Sequence, residues 1–128
     1  MPKTFLLLGA INTLLCIALG AFGAHGLKSL LTDDMLTIFH AGLQYHLYHS
    51  FGLLIIGVLL LHYAKSRLIE LSGWLMLLGI ILFSLNLYLL SLTEIRAFSI
   101  ITPLGGFSFI ASWAVLATAL WKDKPSAG

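Results

Sequence analysis

Charged residues are scarce in this chain. They make up 9% of its 128 positions, whereas an ordinary soluble domain carries about 25%. Four stretches have no Lys, Arg, Asp or Glu at all: residues 4–27, 35–64, 71–93 and 97–121. About 20 apolar residues in a helix span the hydrocarbon core of a bilayer, and each stretch is long enough. The lack of charge therefore excludes an ordinary soluble domain and predicts an all-α, four-helix transmembrane bundle.

Long polar segments between these stretches are lacking too, so no extramembrane domain fits. We predict one integral membrane domain over residues 1–128, with spans at about 4–27, 35–63, 70–92 and 102–121. The first stretch is longer than the apolar region of a usual signal peptide, so we expect it to remain as a span.

Strong net charge, paired cysteines and catalytic motifs are also absent. The net charge is +2 with no basic run, so no nucleic-acid partner is expected. The single cysteine, Cys16, cannot form an intrachain disulfide. There is no Gly-x-Ser-x-Gly, no phosphate loop and no pair of carboxylates within a span. We therefore expect a protein that is not an enzyme and carries no cofactor or metal.

The few basic residues are unevenly placed, and this predicts orientation. In the four-span arrangement, five fall on one side and two on the other. Positive residues accumulate on the cytoplasmic side, so both termini are expected inside, in the cell inner (plasma) membrane. The five are Lys3, Lys65, Arg67, Lys122 and Lys124, and the two are Lys28 and Arg96.

Two helix starts can be identified from local sequence. Thr32 precedes two aspartates and is a good N-cap, so the second helix is expected from Asp33 to Tyr63. Such a helix, about 45 Å long, exceeds the thickness of the hydrocarbon core. Thr102 is expected to cap the fourth helix, with Pro103 at its first position and the apolar segment before it as an outer loop.

Small and polar residues recur at helical spacing in three of the spans. Lipid provides no hydrophobic drive for helix association, so close approach through small residues and interhelical hydrogen bonds matters. In the first span the spacing is 4-3-4-3, which places the residues on one face. Asn12 and Asn86 are expected to hydrogen-bond across helices. The residues expected at helix contacts are Gly9, Thr13, Cys16, Gly20, Gly23, Asn86, Ser108 and Ser112.

The second span carries an unusual concentration of polar residues in its outer half. At 100° per residue, one group shares a face and a second group lies nearer the opposite face. Polar groups within a membrane generally face protein or water, so the helix should be central or meet another subunit. The first group is Gly42, Tyr45, His46 and His49, and the second is His40, Gln44 and Tyr48.

Several roles remain open for these groups. They can hydrogen-bond between helices. His46 and His49 can share a metal ion with His25, although a closed site needs about four ligands. A haem needs two axial histidines on different helices at matching depth, and His25 with His40 is the only pair that comes near this arrangement. Tyr45, His46 and His49 can relay protons. The Gly105-Gly106 helix start can dock an anion. The candidate ligand residues are His25, Tyr45, His46, His49, Gly105 and Gly106.

Blocks in all four spans support a resemblance over essentially the whole chain. They are residues 20–27 (Gly-Ala-Phe-Gly-Ala-His-Gly-Leu), 45–49, 82–88 and 102–106 (Thr-Pro-Leu-Gly-Gly). The chain resembles a family of small bacterial inner-membrane proteins known as a domain of unknown function, with a small mitochondrial relative in animals. The resemblance implies four spans and no particular activity. Its pattern usually has Gln at position 46, whereas His25, Tyr45 and His49 fit it.

We therefore expect a structural or accessory protein in the lipid bilayer. It would act through helix contacts with itself, as a homo-oligomer, or with a partner membrane complex. The alternative is binding or transport of a small ligand, a metal ion or protons through a polar pocket in the outer half.

Overall fold

The computed structural model describes residues 1–126, and this part of the protein is mostly helical and contains no strand. Four helices are long and apolar enough to cross a membrane. They are α1 (Pro2–Leu27), α2 (Asp33–His62), α3 (Arg67–Thr93) and α4 (Ala97–Lys122). The predicted all-α, four-helix transmembrane fold is confirmed.

The helices run alternately up and down, and α2 and α3 are the most buried of the four. α1 packs mainly on α2, and α4 packs mainly on α3. The larger apolar core lies nearer the end of the bundle that holds both termini, here called the terminal end. Its largest fully buried side chains are Phe5, Leu53, Ile56, Leu60, Ile69 and Met76.

Side-chain caps fix the starts of the two central helices. The Thr32 hydroxyl accepts a hydrogen bond from the Met35 backbone N–H at 3.3 Å, so the predicted cap of α2 is confirmed. The Ser66 hydroxyl accepts from the Ile69 N–H at 3.2 Å and begins α3. Each cap satisfies one of the backbone donors that a helix start leaves free.

The start of α4 differs from the prediction. The helix begins at Ala97, directly after a turn in which Glu94 takes a left-handed φ of 58°. Thr102 is not a cap, because its hydroxyl donates to the Phe98 carbonyl at 3.0 Å, and Pro103 lies inside the helix. An apolar loop in lipid would leave backbone groups unsatisfied, whereas membrane helices tolerate proline. The apolar segment before Pro103 therefore joins the helix.

Two wide π-helical turns interrupt the regular helices, at Gly23–Leu27 in α1 and Ile80–Leu85 in α3. In α3 the Asn86 amide donates to the Leu82 carbonyl of its own helix at 2.6 Å. A π turn shifts the helical register and changes which carbonyls are free. The predicted hydrogen bond from Asn86 to another helix is therefore replaced by one within α3.

Membrane orientation gives a first testable prediction. We expect both termini on the cytoplasmic side, because the basic residues concentrate at the terminal end. In a Cys16→Ala background, Ser29→Cys should react with a membrane-impermeant maleimide in intact cells. Lys3→Cys, at the other end of α1, should react only after the membrane is permeabilised. The reverse labelling pattern would place the termini outside.

Candidate functional site

A chain of hydrogen bonds through His46 joins three helices. His46, on α2, is only 4% exposed. Its Nδ1 lies 2.8 Å from the hydroxyl of Tyr88 on α3, and its Nε2 lies 2.9 Å from Oδ1 of Asn12 on α1. The Asn12 amide nitrogen donates to the Leu8 carbonyl at 2.8 Å. His46 thus links α1, α2 and α3.

The direction of every bond in this chain can be assigned. The amide nitrogen of Asn12 faces the Leu8 carbonyl, so its Oδ1 must accept from His46. The proton of neutral His46 therefore sits on Nε2, and Nδ1 accepts from the Tyr88 hydroxyl. Both imidazole nitrogens are occupied, which leaves His46 no lone pair for a metal ion.

His49 forms a second link, from α2 to α4. The indole N–H of Trp113 donates to its Nε2 at 2.9 Å, and its Nδ1–H donates to the Tyr45 carbonyl at 2.7 Å. An indole nitrogen is only a donor, so the proton of neutral His49 sits on Nδ1. The ring also stacks on Phe109, with centroids 3.5 Å apart. His49 carries the opposite tautomer to His46, and its two nitrogens are equally engaged.

Further polar contacts link α3 to α4 and add to the link between α1 and α2. Between α3 and α4, the Ser72 hydroxyl donates to the Ser112 carbonyl at 2.6 Å, and the Ser108 hydroxyl donates to the Leu75 carbonyl at 2.7 Å. Between α1 and α2, the Cys16 thiol lies 3.4 Å from the Leu43 carbonyl. Each bond crosses between helices, which is the way buried polar groups hold membrane bundles together.

Small residues lie where two helices approach most closely. Gly9 faces the Leu54 backbone of α2, and Gly23 faces the Phe39 ring. Gly105 of α4 lies against the Phe83 and Leu82 backbone of α3. Other members of the predicted stripes have looser surroundings: a Cβ atom at Gly20 would make only an ordinary van der Waals contact with Leu43, and the Thr13 hydroxyl donates to the Gly9 carbonyl of its own helix.

The candidate ligand residues do not form one site but lie in different environments. His25 is exposed in the π turn that ends α1, whereas His46 and His49 belong to the two buried links. Tyr45 is partly exposed and packs against Phe83 in a tilted arrangement, with ring centroids 4.9 Å apart. Residues 1–126 contain no group of three or more His, Cys, Asp or Glu able to hold a metal ion.

The two adjacent glycines of α4 also occupy a different position from the one predicted. Because α4 begins at Ala97, Gly105 and Gly106 lie inside the helix and not at its positive end. Gly105 is buried against α3. The geometry therefore gives little support to an anion site there, or to one outer pocket shared by all the candidate residues.

One polar face of α2 makes no hydrogen bond to another helix within residues 1–126. His40, Gln44 and Tyr48 are all exposed, and the Gln44 amide donates to the Tyr48 hydroxyl at 2.6 Å. We call these three residues the α2 polar stripe. A shallow groove of about 330 Å³ borders it, lined by Cys16, Ile17, Gly20, His40, Leu43, Gln44 and Leu47.

The predicted hydrogen bond from Asn12 to another helix is present, although its partner His46 was not identified. Sequence reasoning missed Tyr88 as the donor to His46 and Trp113 as the donor to His49. Each is a polar group within an apolar stretch, which was the available signal. Which of them meets which histidine depends on the relative rotation of separate helices.

Comparison with known proteins agrees with a small membrane protein. Residues 19–106 match the family described as "Protein of unknown function (DUF423)". The UPF0382 membrane protein YwdK of Bacillus subtilis is 48% identical over 120 residues, which cover 94% of this chain and 98% of YwdK. A UPF0382 membrane protein of Staphylococcus haemolyticus is 42% identical, with 94% and 97% coverage. No solved structure matches. With four apolar helices and these relatives, the chain is a multi-pass membrane protein that belongs to the DUF423 family.

Proposed function

We propose that this protein is a non-catalytic structural or accessory component of the plasma membrane that works by associating with a second copy of itself. The α2 polar stripe is the observation that supports this function. Two other polar groups of this half of α2, His46 and His49, have their partners inside the bundle. The stripe is left exposed beside them, and Tyr48 has 51% of its surface accessible.

The depth of the stripe makes its exposure costly. α2 has 30 residues and is about 45 Å long at 1.5 Å per residue, so it exceeds a hydrocarbon core of about 30 Å. The excess of about 15 Å corresponds to about ten residues. Gln44 and Tyr48 therefore lie within the hydrocarbon core even if all of the excess projects at the Thr32 end, and His40 lies one turn before Gln44. Polar side chains at this depth generally face protein or water instead of lipid.

A second copy suits the stripe chemically. Imidazole, amide and phenol groups each donate and accept hydrogen bonds, so a row of them can pair with its own symmetry mate. Two-fold contacts are the commonest form of association, and they bring the same patch from both subunits together. The neighbouring groove, which Gly20 helps to line, leaves room for apolar side chains of the partner's helix.

Self-association can be tested with a matched pair of variants. The triple variant His40→Leu, Gln44→Leu, Tyr48→Phe removes the donors and acceptors of the stripe. Thr118→Val removes an exposed hydroxyl from α4, where it bonds only the Ala114 carbonyl of its own helix. In lipid nanodiscs, we expect the wild type and Thr118→Val to dimerise and the triple variant to dimerise about tenfold more weakly, since each interhelical hydrogen bond contributes about 0.6 kcal/mol.

Cross-linking in native membranes supplies the second readout. With Cys16 replaced by alanine, Gln44→Cys should form an intersubunit disulfide on mild oxidation, and Leu14→Cys on the far face of α1 should not. A wild-type protein that stays monomeric in nanodiscs, with no Gln44→Cys cross-link, would remove self-association as the function.

A further inference from the structure

Four basic side chains converge at the terminal end of the bundle, although they come from two distant parts of the sequence. Lys65 lies in the turn between α2 and α3, and Arg67 is the first residue of α3. Lys122 ends α4, and Lys124 lies in the segment after it. Together they line one concavity of about 800 Å³, which we call the basic concavity. Its other lining residues are Tyr63, Ser66, Leu68, Asp123, Pro125 and Ser126.

Hydrogen bonds between the two segments hold the walls of this concavity together. The Ser126 N–H donates to the His62 carbonyl at 2.6 Å, and the Ser126 hydroxyl accepts from the Ala64 N–H at 3.0 Å. The Ser66 hydroxyl, which caps α3, also donates to the Asp123 carboxylate. The segment after α4 is therefore folded back onto the α2–α3 turn, and the cations are presented by a built surface.

The concavity carries a strongly positive net charge. Four cations and one carboxylate line it, and that carboxylate already accepts from Ser66. The four basic side chains are all exposed, so their charges are directed at whatever fills the space. The N-terminus of α3 opens beside them and adds its positive dipole end. An anion with several oxygen atoms is the complementary ligand.

The surroundings favour a lipid over a soluble anion. The concavity lies at the end of membrane-spanning helices, at the level where phospholipid headgroups sit. Trp121, beside Lys122, is 89% exposed, and tryptophan prefers this interface. Leu68 and Tyr63 supply apolar lining that continues toward the hydrocarbon. The helices below expose apolar side chains such as Leu61 on which acyl chains can lie.

We propose that the basic concavity binds the phosphate headgroup of an anionic phospholipid. The four cations would hold the phosphate and the headgroup oxygens, and the α3 N-terminus would support them. This assigns the clustered charge a role beyond setting orientation, and it is independent of the self-association proposed above. A basic pocket between helices on the cytoplasmic side is a recurrent chemistry for such headgroups.

Lipid enrichment tests the proposal. The full-length protein is placed in nanodiscs with equal amounts of phosphatidylglycerol and phosphatidylcholine, extracted gently, and its retained lipids are measured by mass spectrometry. We expect the wild type to retain phosphatidylglycerol preferentially. Each basic residue near a membrane surface strengthens anionic-lipid binding about fivefold. The variant Lys65→Gln, Arg67→Gln, Lys122→Gln, Lys124→Gln should therefore lose affinity about a hundredfold or more.

Two controls separate a specific site from general charge and from misfolding. Lys3→Gln with Lys28→Gln removes two cations outside the concavity and should retain phosphatidylglycerol as the wild type does. Lys65→Arg with Lys122→Arg and Lys124→Arg keeps the charge and should restore retention. Equal loss in the Lys3/Lys28 variant, no selectivity in the wild type, or displacement of the lipid by millimolar inorganic phosphate would each overturn the proposal.

Discussion

Replacing Gly105 with alanine is expected to destabilise the bundle by about 3 kcal/mol, the upper part of the usual range for overpacking. A Cβ atom there would lie 2.7 Å from the carbonyl carbon of Leu82 and closer still to the Phe83 backbone nitrogen. Backbone atoms of a neighbouring helix cannot turn aside as a flexible side chain can. The two helices, α3 and α4, would have to separate, and the Ser72 and Ser108 hydrogen bonds between them would lengthen.

The adjacent residue is the matched control. A Cβ atom at Gly106 would lie 3.8 Å from the Phe83 ring, an ordinary van der Waals contact. Gly106→Ala should therefore leave stability unchanged or raise it by up to about 1 kcal/mol, because alanine favours the helix. Reversible unfolding in mixed detergent micelles measures both variants. If the two alanines have the same effect, the close approach of α3 and α4 at Gly105 is not a feature of the folded protein.

Replacing His46 with leucine is expected to cost about 2–3 kcal/mol. The change removes two interhelical hydrogen bonds and leaves the Asn12 carbonyl oxygen and the Tyr88 hydroxyl without partners. A buried polar group left unpaired costs about 1–3 kcal/mol, whereas each hydrogen bond between membrane helices contributes about 0.6 kcal/mol. Most of the loss should therefore come from the stranded partners and not from the bonds themselves.

Glutamine at position 46 should keep much of the stability. Its amide N–H can donate to Asn12, and its carbonyl can accept from Tyr88, which reproduces the direction of both bonds. A double-mutant cycle of His46→Leu with Tyr88→Phe measures the coupling, and His25→Leu at an exposed position serves as the control. Additive losses for His46 and Tyr88, or a glutamine variant as unstable as the leucine variant, would contradict a three-helix link through this residue.

The number of helices and their main limits could be predicted because they depend on local composition. Stretches without charge mark the membrane spans, and Thr32 followed by two aspartates marks the start of α2. The start of α4 could not be identified in the same way, because Thr102 followed by Pro103 is also typical of a helix start in a soluble protein. In a bilayer, the apolar segment from Ala97 has to be helical so that its backbone groups are hydrogen-bonded, and the helix therefore begins there.

The polar site could be predicted only on one helix at a time. Helical periodicity correctly placed His46 and His49 on the buried side of α2 and left His40 and Gln44 on another face. It could not identify Trp113 as the partner of His49, because that pairing depends on how α4 is rotated and shifted along α2. The π turns of α1 and α3 change that register and carry no simple sequence signature.

The pairing of helices in chain order has a consequence for biogenesis. α1 makes most of its contacts with α2, and α4 makes most of its contacts with α3. The α1–α2 hairpin can therefore form before the second half of the polypeptide has left the ribosome, and the α3–α4 hairpin can form afterwards. Late steps are then limited to docking two preformed hairpins, with His46 meeting Tyr88 and His49 meeting Trp113 only at the end. Synthesis of the two halves as separate polypeptides should still yield the assembled bundle in the membrane.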